Sequence, residues 1–87
     1  MKIDYSHKFI KDFKKAPRKI QIAFRERLKL FLEDKPHPLL NNHPLSGKYK
    51  GHRSINVTGN WRAIFRELDV GQTVYFDALG THSQLYR

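Results

Sequence analysis

The sequence predicts an α+β fold of order β-α-α-β-β-β, in which a two-helix hairpin packs on one face of an antiparallel sheet. Three observations predict it. Apolar residues recur at helical spacing in two stretches before Asp34. Three short β-rich stretches follow Gly51, separated by turn residues. The chain has 87 residues, which sets a single domain over residues 1–87 as the expectation.

Residues 2–5 alternate Lys, Ile, Asp and Tyr, so Ile3 and Tyr5 share one side of a short strand. Ser6 is a good N-cap for a helix running to about Lys15. Phe9, Ile10 and Phe13 form its apolar stripe, and Lys8, Lys11, Lys14 and Lys15 decorate the remainder. Pro17 suits the first position of a second helix, where its missing N–H costs nothing. Ile20, Phe24, Leu28 and Phe31 recur at helical spacing, with Ala23 and Leu32 in support. Pro36 and Pro38 end that helix near Asp34. Residues 36–50 read as a loop rich in Pro, His, Asn, Gly and Ser; structureless loops of about 15 residues tend to be functional. Residues 52–57, 61–67 and 73–79 are the remaining strands, joined at Thr58-Gly59-Asn60 and at Asp69-Val70-Gly71.

The tight first turn gives a register. With Val57 opposite Trp61, Ile55 meets Ala63 and Arg53 meets Phe65 on the core side. Asn56 then meets Arg62, and Ser54 meets Ile64, on the helix-free side, which is expected to be open. A one-residue slip would reverse every side chain. Arg66 lies further along the same strand, and the tail, residues 80–87, returns toward its start. Arg62, His82 and Tyr86 are thereby expected to gather on the open face, with His43 and Lys48 arriving on the loop. Taken singly, Arg62 fits a solvated strand arginine equally well, Tyr86 a C-terminal anchor, and His43 a turn former before Pro44.

Seventeen Lys and Arg oppose eight Asp and Glu, a formal charge of +9 with pI near 10.1. Such an excess points to a polyanionic partner. The absence of Cys excludes disulfides, a thiolate nucleophile and Cys-based metal sites. His37, His43 and His82 lack the compact spacing of a metal site, so neither metal nor cofactor is expected. No phosphate-binding glycine loop or nucleophile elbow is present. No apolar run approaches the roughly 20 residues that span a bilayer, nor is there the apolar run of a signal peptide, so a soluble cytoplasmic protein with no membrane partner is expected.

Three segments are distinctive: His43-Pro44-Leu45-Ser46-Gly47-Lys48-Tyr49-Lys50-Gly51-His52-Arg53, Gly59-Asn60-Trp61-Arg62-Ala63-Ile64-Phe65-Arg66, and Leu79-Gly80-Thr81-His82-Ser83-Gln84-Leu85-Tyr86. With the element order, they resemble the RelE/ParE superfamily of type II toxin–antitoxin toxins, and within it the YafQ-like branch. The resemblance covers nearly the whole chain. It implies a ribonuclease that cuts messenger RNA in the ribosomal A site and is silenced by a cognate acidic antitoxin in a hetero-oligomer. Carried over by position, it makes His82 the general acid, His43 the loop histidine, Tyr86 the aromatic that orients the nucleotide, and Arg62 the phosphate contact. Lys48, Lys50, Arg53, Asn56, Asn60 and Arg66 are the further RNA-binding candidates. Two positions depart from the branch: Asn56 replaces a histidine, and Asn60 replaces an aspartate. An amide is neither a carboxylate base nor a proton donor of use at neutral pH. Two alternatives therefore stand beside the ribonuclease: a ParE-like inhibitor of DNA gyrase, and a catalytically weakened RNA-binding relative.

Overall fold

A computed structural model describes residues 1–86; Arg87, the end of the predicted tail, lies outside the described residues. The elements are β1 (Lys2–Tyr5), α1 (His7–Lys15), α2 (Arg18–Glu33), β2 (His43–Pro44), β3 (Arg53–Asn56), β4 (Trp61–Leu68), β5 (Thr73–Thr81) and α3 (His82–Leu85). Two 3-10 turns, Pro38–Leu40 and Gly47–Tyr49, flank β2. No described helix is long and apolar enough to cross a membrane.

Ser6 caps α1 as expected, its hydroxyl accepting from Phe9 N–H at 2.9 Å while donating to the carbonyl of Asp77 at 2.9 Å. The cap therefore also pins the helix to β5. Pro17 stands just before α2 instead of inside it, because its ψ of 147° is extended. The Gln21 side chain donates to the Phe13 carbonyl at 2.8 Å, which also accepts from Ala16 N–H at 3.2 Å, so α2 ties itself to the end of α1.

The sheet order is β1-β5-β4-β3-β2. The predicted hairpin register holds: Ile55 pairs with Ala63, and Asn56 with Arg62. The predicted all-antiparallel sheet does not, since β1 runs parallel to β5. A parallel neighbour needs a long connection, and no local turn signal reveals a partner at the other end of the chain. Phe76 on β5 centres the main core, with the rings of Phe9, Phe24, Phe31 and Phe65 at 5.3–6.2 Å. A bulge at Asp77, between the pairs Phe65–Phe76 and Ile64–Ala78, shifts the alternation. Phe76 and Leu79 thus both join the main core, while Ala78 faces the other side.

Two further expectations are corrected. Residues 36–50 are not structureless: Leu40 is fully buried and β2 adds to the outer edge of β3, pairing His43 with Ser54. Backbone groups held against the sheet by that buried anchor find partners in turns and a ladder. Nor is the helix-free face open. Leu45, Tyr49, Leu85 and Tyr86 pack over Ile64 and Ala78 in a second, smaller core. Burial of those two apolar residues is what folds the loop and tail onto the sheet.

Candidate active site

His43, Arg62, His82 and Tyr86 all line one cleft of ≈ 280 Å³ on this covered face, together with Asn41, Leu45 and Ser54. Three separate segments of the chain contribute, and backbone carbonyls hold the side chains of His43 and Arg62.

His43 comes from β2. Asn41 adopts a left-handed conformation, φ 44°, at the end of the first 3-10 turn. Its carbonyl meets His43 Nδ1 at 2.7 Å. A carbonyl can only accept, so Nδ1 carries the proton, and in the neutral ring Nε2 keeps a lone pair. That is the tautomer a general base requires.

Arg62 comes from the start of β4. Its Nη1 donates to the carbonyls of Thr58 (3.0 Å), Gly59 (3.2 Å) and Trp61 (3.1 Å), folding the side chain against the hairpin turn. Nε and Nη2 carry none of these bonds, and no described carboxylate forms an ion pair with the guanidinium. A guanidinium so held presents its remaining donors as a fork suited to phosphate.

His82 is the first residue of α3. Thr81 Oγ1 accepts from Gln84 N–H at 3.2 Å, and Gln84 Oε1 accepts from Thr81 N–H at 2.9 Å, a reciprocal capping box. His82 N–H donates to the Asn60 carbonyl at 3.0 Å, tying the helix start to the β3–β4 turn. Gly80 permits the fold-back, because a Cβ there would stand 3.1 Å from Gln84 Oε1 and 3.3 Å from Leu85 Cγ. One turn on, the ring of Tyr86 lies 4.7 Å from that of His82 and edge-on to Tyr49 at 5.8 Å.

The other predicted RNA contacts lie outside the cleft. Lys48 and Lys50 are exposed on the loop, with Lys48 Nζ 5.1 Å from the centre of the Tyr49 ring. Asn60 acts in the fold through its carbonyl. Arg53 faces the helix side, where its Nε donates to Asn42 Oδ1 at 2.8 Å and braces the loop. Asn56 pairs with Arg62 in the ladder, and its Oδ1 is buried without a partner. Arg66 stacks over Tyr75 at 5.0 Å, with Nε 3.4 Å from Asp77 Oδ2. His37 caps the first 3-10 turn, accepting from Leu39 N–H, and the described residues contain no cluster of three potential metal ligands.

Sequence reasoning passed over Asn41, Leu45 and Ser54 as lining residues, and His52, whose Nε2 meets Asp77 Oδ2 at 2.7 Å. The hairpin register already placed Ser54 on the Arg62 side, which was the available signal. The His52–Asp77 pair depends on the bulge and had none. Among the described residues, the cleft lining holds three cationic or ionisable nitrogen groups, a phenol and no carboxylate. Such a lining suits an anion that must exchange protons with two imidazoles.

A family model described as the bacterial toxin of type II toxin–antitoxin system, YafQ, matches residues 1–87. The mRNA interferase toxin YafQ of Escherichia coli K12 is 31% identical over 88 residues, spanning 97% of this chain and 94% of that protein. The crystal structure of YafQ from E. coli BL21(DE3) has a TM-score of 0.82 at 28% identity, covering 98% of this chain and 97% of that one. A chain of the E. coli DinJ–YafQ toxin–antitoxin complex has a TM-score of 0.79 at 29% identity, covering 98% and 96%. The chain belongs to the YafQ family of bacterial type II toxin–antitoxin toxins.

Proposed function

We propose that this toxin is an endoribonuclease that cleaves mRNA, with His43 as base, His82 as acid, Arg62 as phosphate clamp and Tyr86 as base-stacking platform. The observation that carries the reading is the convergence of those four side chains in one cleft, with no carboxylate among the described lining residues. The E. coli relative's name, mRNA interferase toxin, supports the same activity.

The reaction is internal transesterification. The ribose 2′-oxygen attacks the adjacent phosphorus as His43 Nε2 takes its proton. The P–O5′ bond breaks as His82 protonates the departing oxygen. The products are a 2′,3′-cyclic phosphate and a 5′-hydroxyl, and the two imidazoles end with exchanged protonation. Arg62 bears the charge that builds on the non-bridging oxygens. Tyr86 holds a base out of the stack, a contact of roughly 1–3 kcal/mol. Asn56 and Asn60 leave the proton transfers to the two histidines, since an amide does neither task.

The formal charge of +9 supplies sequence-independent attraction to RNA phosphates. Exposed Lys11, Lys14, Lys15, Arg18 and Lys19 on the helices suit docking on ribosomal RNA around the A-site codon. The same charge suits an acidic antitoxin as silencing partner, as the DinJ–YafQ complex of the relative supports. The toxin acts in the cytoplasm on this reading.

Brief expression in a bacterium, with message ends mapped by primer extension, tests the assignment. In-frame breaks should appear with the native chain and fall roughly 100-fold or more in His82→Ala, the usual weight of a general acid. Breaks unchanged in the variant would remove His82 from the chemistry. Growth arrest with intact messages would point to DNA gyrase, and neither arrest nor breaks to an RNA-binding relative.

A further inference from the structure

Among the described residues, three buried side-chain atoms lack a hydrogen-bond partner: His52 Nδ1, Ser54 Oγ and Asn56 Oδ1. Their positions alternate along β3 and the residue before it, so all three sit on the sheet face that carries Arg62. Protein interiors pair such groups almost everywhere, and each exception calls for a cause. Packing faults scattered by chance would not line up on one side of one strand.

Only one of the three borders the cleft. Ser54 is 0% exposed, and it lies between His43 on β2 and Ile64 on β4 in the ladder. Cross-strand neighbours have Cβ atoms about 4.5–5.5 Å apart, so the hydroxyl stands beside the imidazole of His43. The groups around it already have protein partners: His43 Nδ1 at the Asn41 carbonyl and Arg62 Nη1 at the hairpin carbonyls. A serine hydroxyl offers one O–H donor that rotates to suit its acceptor. Screened from water and flanked by Leu45 and Ile64, it would interact with an anion more strongly than an exposed hydroxyl does.

We infer that Ser54 is a further RNA-contacting residue, whose Oγ–H donates to a non-bridging oxygen of the phosphate seated between Arg62 and His43. The inference rests on the ribonuclease reading above and adds a contact that the resemblance did not supply. A phosphate oxygen fits better than a base edge, because the surrounding cleft offers the donors of Arg62 and His82 to the same atom group. The hydroxyl then complements the guanidinium from the opposite side of the phosphate.

Ser54→Ala separates this role from a structural one. The hydroxyl has no protein partner to lose, so the variant should melt no lower than the native chain. Single-turnover cleavage of ribosome-bound mRNA should nevertheless fall roughly 10- to 100-fold, the weight of a hydrogen bond to a charged group. Affinity for a nucleoside 3′-monophosphate, titrated by NMR, should weaken alongside it. A lower melting temperature with unchanged cleavage would overturn the inference and assign the hydroxyl to an internal water. Should the native chain cleave nothing, the ribonuclease reading falls, yet the titration still decides the contact. Weaker binding in Ser54→Ala then supports it, and equal binding, or none by either protein, overturns it.

Discussion

Asp12→Ala should be the most damaging single truncation of a polar side chain on α1. The pairing of β1 with β5 ends at Tyr5 and Phe76, so beyond that point β5 has no neighbouring strand on this side. Side chains take over the ladder: Ser6 Oγ donates to the Asp77 carbonyl, and Asp12 Oδ2 accepts from Leu79 N–H at 3.1 Å. Leu79 is 4% exposed, so in the alanine variant its N–H is buried without an acceptor. That orphan costs about 1–3 kcal/mol. The Lys8–Asp12 pair, 2.9 Å long with a well-exposed lysine, adds no more than about 0.5 kcal/mol. A loss of about 2 kcal/mol lowers the melting temperature of a domain this size by roughly 8–16 °C. Asp12→Asn keeps an acceptor and should lose about half as much. Thermal and urea unfolding followed by circular dichroism measure both variants. An alanine variant within about 0.5 kcal/mol of the native chain, or an asparagine variant equally damaged, would refute the argument.

Burial raises the phenol pKa of Tyr5 above its ordinary value of 10.0. Both folded and unfolded chains keep that proton below about pH 10; above it the unfolded phenol ionises first, so this contribution to stability is lost as pH rises through the folded pKa. Tyr5→Phe should therefore show a shallower alkaline decline than the native chain in urea midpoints taken between about pH 8 and 11, and parallel curves would contradict the assignment. At the β4–β5 turn, Asp69 and Val70 have φ of 53° and 55°, and Val70 is fully exposed. A left-handed β-branched residue costs about 1–2 kcal/mol, so Val70→Asn should raise the melting temperature by several degrees; a lower value would show that the turn is unstrained.

The helices were legible because their apolar stripes leave one face to bury, and the β3–β4 hairpin because its turn and alternation together admit one register. That register alone puts Arg62 and Ser54 on the side of the sheet where they lie. Non-local events were not legible. The parallel pairing of β1 with β5 joins opposite ends of the chain, and the bulge at Asp77 leaves no mark in a strand of ordinary composition. The covering of the second face was hidden for a related reason. Leu45, Tyr49 and Leu85 stand in segments rich in turn residues, whose polarity outweighs a few apolar anchors in a local reading. The same register placed Arg53 opposite Phe65 on the helix side, whereas its bond to Asn42 joins it to a loop residue 11 positions away and had no local signal.

The small second core explains how so short a chain holds a site made from three distant segments. Leu45 and Tyr49 fasten the loop that carries His43, and Leu85 fastens the helix that carries His82, both against Ile64 and Ala78. Backbone carbonyls then hold the site: Asn41 orients the His43 ring, the hairpin turn orients Arg62, and Asn60 fixes the main chain at the start of the helix that carries His82. Main-chain acceptors do not depend on the identity of the residue that bears them, provided the backbone can adopt the turn. Asn60 thus anchors the helix that carries His82 through its main chain alone, so the anchor does not require a particular side chain at that position. Asn41 is different, because its left-handed φ favours Asn or Gly. The geometry of His43 consequently depends on the residue type at position 41, whereas that of His82 depends on the glycine at position 80 and on the capping box that follows it.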